Sequence, residues 1–296
     1  MKPPILRLAL HWSCRVAALS AVLLLPLALP AAAHRIEKRF TVDGRPVVFV
    51  HNAHGRISVK SWKRAEVVVV GTHTSEKSEV ESKHAGNRIE VNTRLDGRDL
   101  TPAEMEANYE ITVPEETELQ IQTGSGLVIV ERVYGDMTFD TVAADLQLQE
   151  VYGFLMVKTV GGSLLCTRCA GRLNVTSISG NVQLIQPQLD FARVQTTSGN
   201  ILFDGELRRG SYNLKNYSGI IEIRFSETDS FDLNASTVLG SIENMATLKP
   251  DPRGARRQIP RASTASNSFI GTFKEGHARV ELSTYSGKIR IRPREQ

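Results

Sequence analysis

The chain has 296 residues, of which 41% are apolar, and its 36 Lys and Arg stand against 32 Asp and Glu for a formal net charge of +4. A chain of this length can bury a sizeable core in one or two domains. Three of the basic residues, Lys2, Arg7 and Arg15, lie in an N-terminal leader; the remaining 33 balance the 32 acids, so charge gives no basis for a nucleic-acid partner.

Residues 1–33 read as a signal peptide. The positive start runs into an almost unbroken apolar stretch from Val16 to Leu29, and Pro30-Ala31-Ala32-Ala33 offers a small-residue cleavage site. With Pro26 inside it, this stretch is shorter than the roughly 20 residues that span a bilayer. The mature chain is expected to begin at His34, to carry no transmembrane segment, and to reside in the periplasm or at the cell surface.

Residues 34–122 read as a β-rich region. Strand patterns occupy Arg45 to Val50, Gly55 to Val59, Glu66 to Val70, Arg88 to Thr93 and Asn108 to Val113. Thr101 to Met105 starts with Thr-Pro and reads as one helical turn. His51 and His54, three residues apart, are too few to indicate a metal, and no cofactor is implied.

From about Thr123 to Ile291 a repeat takes over. Gly126 to Gly180 recur in steps of nine with Ala144 standing in once, and apolar residues follow two and four places after each anchor. One series reads Val128/Val130, Leu146/Leu148, Leu164/Cys166; the other reads Met137/Phe139, Leu155/Val157, Leu173/Val175. Period two means strands with one buried face, and a glycine before each suits a turn of positive φ. The two series alternate, so the unit is a coil of eighteen residues with two strands.

The fold expected is all-β: a β-solenoid, or parallel β-helix, behind a β-rich N-terminal capping region. Leu127-Val128-Ile129-Val130 is apolar on both faces, which suggests that the cap covers the first strand. Four core side chains per coil contribute roughly 6–12 kcal/mol. Ordering the backbone costs about 1–2 kcal/mol for every residue. A lone coil therefore cannot stand, and neighbours must complete it.

Thr123, Thr141, Thr159, Ser177, Thr196, Asn216 and Thr284 precede the first-series anchors by three residues. Stacking would set them about 4.8 Å apart, within reach of a hydrogen-bonded ladder, which makes them structural rather than catalytic.

The last coils are broken by an insertion from about Met245 to His277. Its Arg253, Arg256, Arg257 and Arg261 read as an exposed loop and as a candidate surface for envelope phosphates or acidic glycans. Cys166 and Cys169 form a C-x-x-C between two strands. A redox site wants that motif at a helix N-terminus, and no second pair completes a zinc site. A disulfide across the corner is the first reading and two buried thiols the second.

The outward slots hold Asp136, Asp145, Arg172, Arg193, Lys215, Glu222, Asp232 and Arg279, mixed in sign and scattered, which argues against an enzyme. Phe154 and Met156 are outward too, either as a small contact patch or buried under the N-terminal region.

The Thr-x-Ser-Gly units ending at Gly126, Gly180, Gly199, Gly219 and Gly287, with Tyr109-Glu-Ile-Thr-Val-Pro114 ahead of them, resemble a bacterial family. It is the "putative adhesin" β-solenoids of unknown function, related to the toast-rack domains of envelope-stress proteins. The resemblance implies an exported, non-catalytic module, adhesin-like or envelope-associated, with a glycan or protein partner. The alternative is a carbohydrate-active β-helix acting on an acidic envelope polysaccharide.

Overall fold

The structure is a computed structural model that describes residues 33–250 and 267–294. Residues 1–32 of the leader, and Arg253, Arg256, Arg257 and Arg261 of the insertion, lie outside the described residues.

Alternating buried and exposed positions make nearly all of the described chain strand. In chain order the strands are β1 (His34–Thr41), β2 (Val47–Trp62), β3 (Glu66–His73), β4 (Ser78–Ala85), β5 (Arg88–Leu95), β6 (Ala107–Pro114), β7 (Glu118–Glu131), β8 (Met137–Gln149), β9 (Tyr152–Thr159), β10 (Leu164–Thr167), β11 (Ala170–Ser177), β12 (Val182–Ile185), β13 (Gln188–Thr196), β14 (Ile201–Asp204), β15 (Ser211–Asn216), β16 (Ile220–Phe225), β17 (Phe231–Thr237), β18 (Ser241–Asn244), β19 (Lys249–Pro250), β20 (Asn267–Phe273), β21 (Ala278–Thr284) and β22 (Lys288–Pro293). One helical turn, α1 (Pro102–Met105), is fixed by a reciprocal cap: the Glu104 N–H donates to the Thr101 side chain, and the Thr101 N–H donates to the Glu104 carboxylate.

The fold is a parallel β-solenoid. The inward residues set the register: Val128 pairs with Leu146, Leu146 with Leu164, Leu164 with Val182, Val182 with Ile201, and Ile201 with Ile221. Every one of these is buried. The extra residue at Asp190 is absorbed as a β-bulge, because Gly171 pairs with Leu189 and Arg172 with Phe191.

Stacking reaches further toward the N-terminus than the nine-residue step shows. β2 lies parallel to β7 with Gly55 beside Gly126 and Ile57 beside Val128. β5 and β6 together lie parallel to β2 on its other side. The N-terminal region thus extends the sheet edge to edge, and Leu127 and Ile129 stay half-buried on its outer face beside β2 instead of lying under a lid.

Stack order departs from chain order at both ends. The first coil in the chain, β2, sits between β5–β6 and β7. The last, β21–β22, sits between β15–β16 and β17–β18. Each outermost coil also carries antiparallel strands. β4 pairs with β5 and β3 with β6 at one end, and β20 pairs with β17 at the other. The outer ladders of β5, β6 and β17, which would otherwise recruit other chains, are covered this way.

Two expectations about the turns need correction. Positive φ occurs at Gly126, Gly153 and Gly219, but not at Gly162, Gly180 or Gly199. There the requirement is close approach: a Cβ on Gly180 would stand 1.9 Å from the carbonyl oxygen of Gly162.

The Thr/Ser column is stacked and buried, but its hydrogen bonds run mainly within each turn. Thr159, Ser177, Thr196 and Thr284 each accept the N–H of the glycine three residues on, at 2.9–3.1 Å. Asn216 alone reaches across, to the Gly199 carbonyl at 3.4 Å. Thr123 makes only a long 3.5 Å contact to Ser125. Thr141 Oγ1 has no partner among the described residues, since β8 runs straight through its corner and offers no turn N–H.

Candidate ligand-binding face

Along β16 and β22 the odd positions Ile221, Ile223, Ile289 and Ile291 fill the core, which turns Glu222, Arg224, Lys288, Arg290 and Arg292 outward. Asp204 on β14, Glu243 on β18 and Arg294 beyond β22 join them. Five cations then share three carboxylates.

Glu222 accepts from Arg224 Nε at 2.6 Å and from Arg292 Nε at 3.0 Å. Asp204 accepts from Arg294 Nε at 2.7 Å and Arg224 Nη1 at 3.3 Å. Glu243 accepts from Lys288 Nζ at 2.7 Å and Arg290 Nε at 3.2 Å. A cleft of about 280 Å³ opens between Asp204, Arg224, Arg292, Pro293 and Arg294. Arg294 Nη2 is buried there without a partner among the described residues.

The electrostatics favour the ionised form of Glu222 and Glu243. Burial raises the Glu222 pKa, but the hydrogen bonds from Arg292 and Arg224 outweigh it and leave the value lowered. Lys288 lowers that of Glu243. The Arg224 guanidinium is raised by its bond to Glu222. A third of each guanidinium side chain remains exposed, at 33–35%.

Of the residues singled out in the sequence, Glu222 lies in this face and the other described ones lie elsewhere. Cys166 and Cys169 are joined by a disulfide across the β10–β11 corner, both fully buried. His54 Nδ1 meets Ser125 Oγ at 2.8 Å, and no metal-holding group of His, Cys, Asp and Glu occurs among the described residues. Phe154 and Met156 are half-buried, and Arg172 covers the rings of Phe154 and Phe191 at 5.9 and 5.3 Å. They lie in the outer face and not under the N-terminal region.

Arg224 alternates with core isoleucines in Ile221-Glu-Ile-Arg224, and Arg290 and Arg292 do so in Lys288-Ile-Arg-Ile-Arg292, whereas Arg294 lies beyond β22 with no such signal. Their partners come from strands up to 90 residues away, through a stacking order that spacing does not reveal.

The family model described as Toastrack DUF4097 matches residues 49–292. A structure described as "a putative adhesin" from Bacteroides fragilis is 11% identical over 88% of this chain and 98% of its own, with a TM-score of 0.47. One described as "a putative cell adhesion protein" from Clostridium sporogenes is 10% identical over 88% and 100%, with a TM-score of 0.28. No curated protein matches the chain.

Proposed function

The chain belongs to the Toastrack DUF4097 family, and from that footing we propose that it is an exported, non-catalytic binding module whose last coils take an acidic envelope glycan. The leader and the disulfide support export into an oxidising compartment. The observation that carries the ligand class is the excess of outward guanidiniums on β16 and β22, each only partly engaged by Asp204, Glu222 and Glu243. A chain of repeating carboxylates or phosphates would offer several acceptors to these cations at once.

The carbohydrate-cleaving alternative is disfavoured by the same carboxyls. A glycosidase needs one of its pair held protonated near neutral pH, and here arginine and lysine pull in the other direction.

A uronic-acid polysaccharide and an uncharged glucan, each incubated with the protein, separate the readings. Retention of the acidic polymer at its original length is expected. The triple change Arg224→Ser, Arg290→Ser, Arg292→Ser should weaken it by about tenfold or more at low salt. Equal retention of the neutral polymer, or shortened chains, would defeat the proposal.

A further inference from the structure

The β-bulge at Asp190 changes the chemistry of the outer face in which it lies. An unbroken step would set Arg172 beside Asp190, since Gly171 lies beside Leu189. The extra residue sets Phe191 beside Arg172 instead, and Phe154 flanks Arg172 from the other side. The Arg172 guanidinium carbon stands 5.3 Å from the centre of the Phe191 ring and 5.9 Å from that of Phe154. Arg193, two residues beyond Phe191 on the same face, stands 5.8 Å from the Phe191 ring.

Two guanidiniums thus lie against one ring. Both side chains are exposed, and neither has an ion pair among the described residues. A ring holds an arginine through its face and leaves the N–H donors unspent. Bulges recur beside sites because they re-aim a side chain, and here the re-aiming exchanges a carboxylate for that ring.

We propose that Arg172 and Arg193 bind a phosphate monoester. A carboxylate has one pair of oxygens and fills one fork. A monoester has three free oxygens and close to two charges at neutral pH, which suits two forks of one charge each. The surroundings leave that demand unmet. Along β11, β13 and β15 the single carboxylate is Asp190, and it pairs with neither arginine. Lys215 on β15 stands diagonal to Arg193 and adds a third cation. Glu281 on β21 is engaged by Asn213 Nδ2 at 2.7 Å. Asp136 accepts the Phe154 N–H at 3.3 Å, and Asp140 lies in register beside Lys158. None of these groups belongs to the β16–β22 face, so the two sites stand or fall separately.

The test uses residues 33–296, a compact unit of their own, with Arg224→Ser, Arg290→Ser and Arg292→Ser as the background that removes the other cationic face. The side-chain Nε–H resonances of Arg172 and Arg193, identified through Arg172→Gln and Arg193→Gln, are followed as glycerol phosphate is added at neutral pH. Both should move along one saturating curve. Acetate at matched ionic strength should need about tenfold or more higher concentration. Either glutamine variant should weaken phosphate binding by about tenfold or more. Asp190→Asn should tighten it. Phe191→Leu, and Arg172→Lys with Arg193→Lys, keep every charge but lose the held forks, and each should weaken it severalfold. Sedimentation with vesicles of phosphatidic acid in phosphatidylcholine separates a lipid headgroup from a soluble ester as the source of the phosphate.

Binding to the vesicles or to the soluble ester carries the proposal, and binding to neither overturns it. So does acetate that binds as well as phosphate, or full binding by the lysine or leucine variants, because any cationic surface would then serve.

Discussion

At the scale of single residues, the buried polar groups act as turn clamps. Thr196 Oγ1 accepts the Gly199 N–H at 3.1 Å inside the corner, so Thr196→Val keeps the shape but leaves a buried donor unpaired. The expected loss is about 1–3 kcal/mol in denaturant unfolding, with Thr196→Ser close to wild type. Asn52 extends the column one coil toward the N-terminus, where its amide donates to the Ala107 carbonyl and its oxygen accepts from Thr93, which also meets Tyr109. Burial pushes the Tyr109 hydroxyl up to about 12, as expected of a neutral member of a closed network. The cysteine pair is decided by counting thiols on denatured, unreduced protein. None is expected at Cys166 and Cys169, and two would refute the bridge. The column was readable in the sequence because hydroxyls recurred at one offset from each glycine. The direction of its bonds was not, since a hydroxyl above a hydroxyl and a hydroxyl facing its own turn have the same spacing.

At the scale of elements, the period was legible and the stacking order was not. Each coil presents two pairs of apolar residues inward, and any such coil fits beside any other, so nothing in the pattern says that β21–β22 lies inside β17–β18. What decides it is the long connection between them, whose β20 folds back antiparallel on β17 and closes the outer edge. The same arrangement occurs in reverse at the other end, where β3 and β4 cap the coil outside β2. Truncation after residue 277 tests this. In a solenoid stacked in chain order it would remove only the end coil. Here it removes the partner on which both β15–β16 and β17–β18 pair, so hydrogen-exchange protection should collapse across residues 231–244 as well. Close stacking also predicts the outcome at the glycine corners: Gly180→Ala should cost at least about 2 kcal/mol, because the new Cβ meets a carbonyl of the adjacent coil and the two cannot part without breaking the ladder.

At the scale of the whole molecule, the acid response should come from opposed carboxyls near the arginine face. Glu222 is held below the usual carboxylate range by Arg292 and Arg224 despite its burial. Its contribution is therefore complete above the ordinary carboxylate pKa and is lost as pH falls through the lower folded value. Asp229 behaves in the opposite sense. Burial raises its pKa against the pull of the Ser226 and Leu207 N–H groups, so its cost appears as pH rises through the carboxylate range and is absent once both states are protonated. Glu222→Gln should lower stability at neutral pH and flatten the acid limb of the stability curve. Asp229→Asn, which removes the buried charge but leaves one acceptor oxygen for the Ser226 and Leu207 N–H groups, should gain in stability relative to the wild type as pH rises through the carboxylate range. Thermal melts from neutral pH down through that range measure both. Parallel shifts of the two variants would mean that the charges act only through net charge. Opposite shifts that converge in acid would show that the last coils are held by specific pairs. Those pairs leave guanidinium donors over for a ligand, so an acidic polymer should raise the melting temperature of the wild type more than that of Arg224→Ser.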